Sequence, residues 1–228
     1  GPWTSPGESG GGLHFSYNVG GQSLQVRNSI IRTNSASDGG GVFFTCSDTS
    51  NIYGQPLFTN VTIEGNASSA EGGGVYFDHC NTVLNDVAVT GNWAYRNGGG
   101  IRIYYGSSNM SNLLISDNTA DSFGAGTFTS RGGGIYQSNA NVKLYNAIIK
   151  LNASPLGGGV YFYNGESSIT NTLICQNSAS NSGDNTVTNA GAGVYQSYGN
   201  STLTNVTIAS NSADDEGGGV YLDNGSGS

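Results

Sequence analysis

A GGG or GAG triplet followed by an apolar residue recurs eight times, beginning at Gly10, Gly39, Gly72, Gly98, Gly132, Gly157, Gly191 and Gly217, so one unit has been copied along the chain. The intervals are 29, 33, 26, 34, 25, 34 and 26 residues. Periods of this size belong to units that bury a core by stacking on their neighbours. Seven turns are complete and an eighth begins.

Each turn carries a second motif: Asn (once Asp), an aliphatic residue three positions on, and Asn three further. The copies are Asn28/Ile31/Asn34, Asn60/Ile63/Asn66, Asp86/Val89/Asn92, Asn112/Ile115/Asn118, Asn146/Ile149/Asn152, Asn171/Ile174/Asn177 and Asn205/Ile208/Asn211. From the third triplet onward, the last Gly lies 18 residues before the second Asn. Short apolar-alternating runs, such as Val160 with Phe162, Ile169 with Leu173, and Ile174, are separated by Gly, Asn and Ser, which is the pattern of brief strands between tight bends. No run has helical spacing. Fixed columns of β-branched residues, without a helix to make a crossover, predict an all-β chain coiled as a right-handed parallel β-helix with three short strands per coil. About seven complete coils would span 10–223, a rod ~35 Å long at ~4.8 Å per coil.

Both Asn columns are expected at the bends, with inward amides bonding along the stack: Asn34, Asn66, Asn92, Asn118, Asn152, Asn177 and Asn211 in one, and the column opened by Asn28 in the other. Asn also tolerates the left-handed backbone that bends require. The Gly triplets let the chain turn sharply and let coils approach closely. A phosphate-binding loop would need a helix after it, and none follows. Coils differ mainly in insertions, which a solenoid extrudes on one side. About eight extra residues lie between Asn118 and Gly132 and again between Asn177 and Gly191, and others lie around 19–23 and 49–55.

Seven Lys and Arg against fifteen Asp and Glu give a net charge of -8, which argues against nucleic acid as a partner. No apolar run approaches the ~18 residues of a membrane span, so this segment is not expected to insert in a bilayer. The Gly1-Pro2 start resembles a cleavage scar, and residues 1–9 read as a leader with Trp3, Pro2 and Pro6 as a partial cap. Residues 224–228 read as a polar tail, and the whole as a segment of a larger extracellular or surface-displayed protein. Cys46 lies five residues after its triplet and Cys80 six after the next. Adjacent coils would bring them within disulfide range, leaving Cys175 alone; two reduced thiols are the alternative. Sequons occur at Asn60, Asn66, Asn109, Asn152, Asn200, Asn205 and Asn224; a glycan on a ladder Asn (Asn60, Asn66, Asn152, Asn205) would break the fold.

The pairing of GGG[VI] with IxxN from Gly10 to Leu222 resembles the repeats of the polymorphic outer membrane protein (Pmp) family of chlamydial autotransporters, GGA[ILV] and FxxN. Gly usually stands here for the Ala and Ile for the Phe. The resemblance implies a right-handed β-helical passenger, displayed on the cell surface and acting as an adhesin. That family's β-barrel translocator is not among these residues.

If the first residue after each triplet faces the core, the second faces outward: His14, Phe43, Tyr76, Arg102, Tyr136, Tyr161, Tyr195 and Tyr221, with Tyr104 and Tyr163 two further on. An exposed aromatic sheet face of this kind, centred on Tyr76, Tyr136, Tyr161 and Tyr195 and helped by loops 119–131 and 178–190, would contact sugar rings or a partner protein; cross-strand stacking alone also favours Tyr there. Only Asp78 and His79, with Arg102 and Tyr104 one coil on, approach the carboxylate and base grouping of a polysaccharide hydrolase or lyase. No cofactor motif or metal-ligand spacing is present, and the acidic run Asp214, Asp215, Glu216 reads as a solvated bend rather than a calcium site. The expected function is therefore a non-catalytic adhesin or binding stalk for carbohydrate or a host or neighbouring cell-surface protein. The alternatives are a spacer or fibre module that self-associates head to tail, and a polysaccharide-active enzyme.

Overall fold

A computed structural model describes residues 8–17, 24–46, 55–122, 129–180 and 188–223. Most of the 1–9 leader, the insertions at 19–23 and 49–54, the tips of both long bends and the 224–228 tail lie outside the described residues. Among those described, every strand pairing is parallel and joins a strand to its copy in the neighbouring repeat, and no helix occurs.

Eight strands follow the eight triplets and form one sheet: Leu13–Tyr17, Val42–Cys46, Val75–Asp78, Ile101–Tyr104, Ile135–Ser138, Val160–Tyr163, Val194–Ser197 and Val220–Asp223. The Asn-x-x-Ile motif lies in a second, eleven-stranded sheet. Its first copies are unbroken strands, Gln25–Arg32, Leu57–Glu64 and Thr82–Thr90. Later copies are split in two, as in Asn141–Tyr145 with Ile148–Lys150. The third run is only two residues long, as in Trp93–Ala94, and in the fifth coil it shrinks to a single bridge at Ala153.

Alternation sets the core. Val75 and Phe77 are fully buried, as are Ile101 and Ile103 one coil on, and the aliphatic residues of the second motif are buried from Ile63 to Ile174. Inside, Phe15 stacks on Phe44 with centroids 4.6 Å apart. Leu173, in contrast, faces outward, because the bend at Asn171 shifts the alternation by one residue.

The second Asn column is a buried ladder in which interior members are fully satisfied. The Nδ2 of Asn92 donates to Ile63 O at 3.0 Å and to Asn118 Oδ1 at 2.9 Å, and its backbone N–H donates to the same Oδ1 at 3.0 Å. Its own Oδ1 accepts the backbone N–H and the Nδ2 of Asn66. The same pattern runs from Asn34 to Asn211. Two donors and two acceptor sites per amide fix which side atom is nitrogen, because only Nδ2 can serve the carbonyl.

This ladder explains the triplet. A Cβ on Gly100 would lie 2.6 Å from Gly134 O and 3.0 Å from Asn118 Cγ, and the third Gly of every complete coil faces its own ladder Asn in this way. The first Gly of each triplet is left-handed in all eight copies, with φ between 58° and 74°. Two further columns are left-handed throughout: the first Asn column, and the residue before each ladder Asn, which is Thr33, Gly65, Gly91, Asp117, Leu151, Gln176 or Ser210.

The first Asn column differs from expectation, since Asn28, Asn60, Asp86, Asn112, Asn146, Asn171 and Asn205 are exposed. They bond to one another on the surface instead, as Asn60 Nδ2 donates to Asn28 Oδ1 at 2.9 Å. A left-handed residue at each bend turns its side chain out. The sequons at Asn60 and Asn205 are thus on the surface, whereas Asn66 and Asn152 are in the ladder.

Cys46 and Cys80 form a disulfide with Cα atoms 5.2 Å apart. Strand register places Thr45 beside Asp78. Left-handed His79 then adds a residue and turns Cys80 into the core. Cys175 is free and half-exposed.

Candidate functional site

The outward residues of the triplet strands form a continuous file. Centroid separations are 5.3 Å for His14 and Phe43, 5.3 Å for Phe43 and Tyr76, 5.3 Å for Tyr136 and Tyr161, 4.6 Å for Tyr161 and Tyr195, and 5.0 Å for Tyr195 and Tyr221. Arg102 replaces a ring and bridges the gap, with Cζ 5.5 Å from the Tyr76 centroid and 4.3 Å from that of Tyr136. The expected exposed face is thereby corrected. Tyr136, Tyr161 and Tyr195 retain only 7%, 4% and 6% of their accessible surface. Each ring covers the next, and Leu156, Ala190 and Tyr163 pack beside them as a second small core. Tyr76, Tyr104 and Tyr163 are half-buried. Burial raises the Tyr76, Tyr161 and Tyr195 phenols above their ordinary value, because the phenolate would lose its hydration.

Beside the file runs the column that precedes the triplets. Glu71 accepts from Arg102 Nε at 3.0 Å and from the Asn97 amide, while Arg102 also donates to Ile103 O at 2.8 Å. The backbone N–H of Glu71 donates to Asp38 Oδ1 at 3.2 Å. Desolvation raises the Asp38 carboxyl above its ordinary value, that amide opposes the rise, and the Glu71 charge adds to it.

The grouping of Asp78, His79 and Arg102 is likewise corrected. Asp78 and His79 do meet, Oδ1 to Nδ1 at 2.6 Å, but Arg102 is buried and held by Glu71. The imidazole instead stacks on Tyr105 at 4.7 Å and meets Tyr104 edge-on at 5.4 Å. Glu71, Asn97 and Tyr105 were missed in the sequence. The residue column before each triplet, which holds Asp38, Glu71, Asn97 and Arg131, is the signal that could have found the first two.

In the acidic bend, Asp215 Oδ2 accepts the backbone N–H and the Nδ2 of Asn189 at 2.7 and 3.1 Å. Among the described residues no group of three or more metal-ligating side chains converges. An open groove of about 610 Å³ lies outside the bend before the ladder, floored by Gly65 and Gly91 and walled by Arg32, Glu64 and Asp117. No described helix is long and apolar enough to cross a membrane.

Compared with protein-family models, curated proteins and solved structures, the chain matches none.

Proposed function

We propose that the chain is a right-handed parallel β-helix serving as the stalk of a larger extracellular or surface-displayed protein, and that it acts by non-catalytic contact with carbohydrate or with a cell-surface protein. The observation that carries this reading is the set of unbroken axial columns, closed by a disulfide between adjacent coils. Such bridges persist in oxidising surroundings. The non-catalytic part is supported by Arg102, whose guanidinium is engaged by Glu71 and Ile103 O and is not free to act on substrate. Kinship with Pmp-like repeats rests on arrangement alone. The family's Ala would fall at the third triplet position, where a Cβ on Gly100 meets a carbonyl at 2.6 Å.

A spacer or head-to-tail fibre module is the second reading, favoured by the burial of the aromatic file, which spends those rings on cohesion between coils. Binding of the labelled chain to a glycan array and to cells, beside sedimentation velocity, separates the two. Saturable binding by a monomer supports the stalk that binds; concentration-dependent oligomers without binding overturn it.

A further inference from the structure

Rings in the outer file cover one another, and Tyr105 is stacked on His79, but Tyr145 stands apart. It is 47% exposed on the outer face of the eleven-stranded sheet. Its register neighbours are Ser111 and Thr170, whose side chains are too short to cover a ring. Lys143 lies two residues earlier on the same face, about 6.6 Å along the strand. Past the bend at Asn146, Ile148 and Lys150 continue that face. Neither lysine forms an ion pair among the described residues.

Charge singles out this face in an acidic protein. The strands of this sheet hold four of the chain's seven Lys and Arg, namely Arg27, Arg32, Lys143 and Lys150, but only Glu64, Asp86 and Glu166 of its fifteen acids. Lys143 and Lys150 are the only lysines. Around them are short polar side chains, Asn109, Ser168 and Thr170.

We propose that the outer face of the fifth coil, through Lys143, Tyr145 and Lys150, binds an acidic polysaccharide laid along the strands of that coil. This rests on the stalk being a binding module. An exposed ring flanked by the short side chains of Ser111 and Thr170 suits stacking of a sugar, and an ammonium beside it suits the carboxylate or sulfate of that sugar. Hydroxyl and amide side chains on a flat face suit sugar hydroxyls. A duplex nucleic acid would demand a longer basic stripe.

The test uses polygalacturonate, a sulfated heparin-type oligosaccharide, a neutral galactan and a DNA oligonucleotide in affinity electrophoresis, with the parent chain, Tyr145→Ala, and the Lys143→Gln/Lys150→Gln double variant. Lys143 and Tyr145 are exposed and Lys150 is half-exposed, so melting should be unchanged. Polygalacturonate or the sulfated chain should be retained and galactan not, which of the two anions binds distinguishing carboxylate from sulfate. Each variant should weaken retention about fivefold to tenfold, and added salt should weaken it further. Failure to retain either anion overturns the proposal. So does DNA retained as tightly and unaffected by Tyr145→Ala, which would mark a bare charge patch. If the parent attaches to cells and both variants attach equally, this surface is refuted while the binding stalk stands. If the parent attaches to nothing, both fall.

Discussion

Asn118→Leu removes one rung from the middle of the ladder, and the structure sets the cost. Asn118 Oδ1 is the acceptor for two buried donors, the Asn92 backbone N–H at 3.0 Å and the Asn92 Nδ2 at 2.9 Å, and its Nδ2 serves Val89 O at 2.9 Å and Asn152 Oδ1 at 2.9 Å. Leucine has a comparable branch at Cγ but can satisfy none of these. The Asn152 Oδ1 keeps its bond from the Asn118 backbone, so the main loss is two orphaned donors, each costing about 1–3 kcal/mol. The expected destabilisation is about 2–6 kcal/mol. Asn34→Leu is the internal control. Asn34 is half-exposed and among the described residues donates only to Asn66 Oδ1 and accepts from no upstream donor, so the cost should stay below about 1 kcal/mol. Urea unfolding followed by circular dichroism gives both values from midpoints at constant slope. Equal midpoints for Asn118→Leu and Asn34→Leu would refute the argument that rungs matter by what they leave unsatisfied.

Gly100→Ala should destabilise by about 1–3 kcal/mol, since its Cβ would press on Gly134 O and on the ladder amide; a melting point within error of the parent would contradict that packing. Gln176 is exposed yet left-handed at φ 56°, so Gln176→Asn should raise stability by roughly 0.5–1 kcal/mol, read as a higher urea midpoint. Burial raises the Asp38 carboxyl in the folded chain, so its contribution is fully present below the unfolded value of about 3.9 and is lost as pH rises through the folded value. Asp38→Asn should therefore gain melting temperature relative to the parent between acid and neutral pH; a difference that does not change with pH would count against it. The phenols of Tyr76, Tyr161 and Tyr195 are raised as well, so stability present below about pH 10 should fall above it. Ultraviolet titration should show some tyrosines ionising only as the chain unfolds.

Much of the architecture was legible because each column has one job. The residue after the triplet is always aliphatic and always inward except at the frayed ends, and the second Asn is Asn in all seven coils because each amide must both donate and accept. The first Asn column held a clue against its own burial. Asp86 stands there once, and a carboxylate could not donate within a buried ladder. The left-handed column before the ladder was not legible. Thr33, Leu151 and Gln176 occupy it as well as glycine, because the flanking coils impose the conformation whatever the side chain. Nor was the burial of the tyrosine file, since alternation tells which way a side chain points but not what lies against it.

That last distinction separates cohesion from recognition on this surface. A side chain repeated in every coil at the strand spacing meets its own copies, and a ring in such a column stacks on rings before it can stack on anything else. Tyr136, Tyr161 and Tyr195 follow this rule, and their regularity is the reason their faces are closed. Tyr145 breaks it, standing between Ser111 and Thr170. In a stack of near-identical coils, a residue free to meet a partner is therefore one that interrupts a column and is not itself held by its neighbours, as Arg102 is by Glu71. By the same reasoning, replacing Thr170 with Tyr should close one face of Tyr145 by stacking and weaken any glycan contact there, without lowering the melting temperature; unaltered glycan retention by Thr170→Tyr would detach the contact from the open ring.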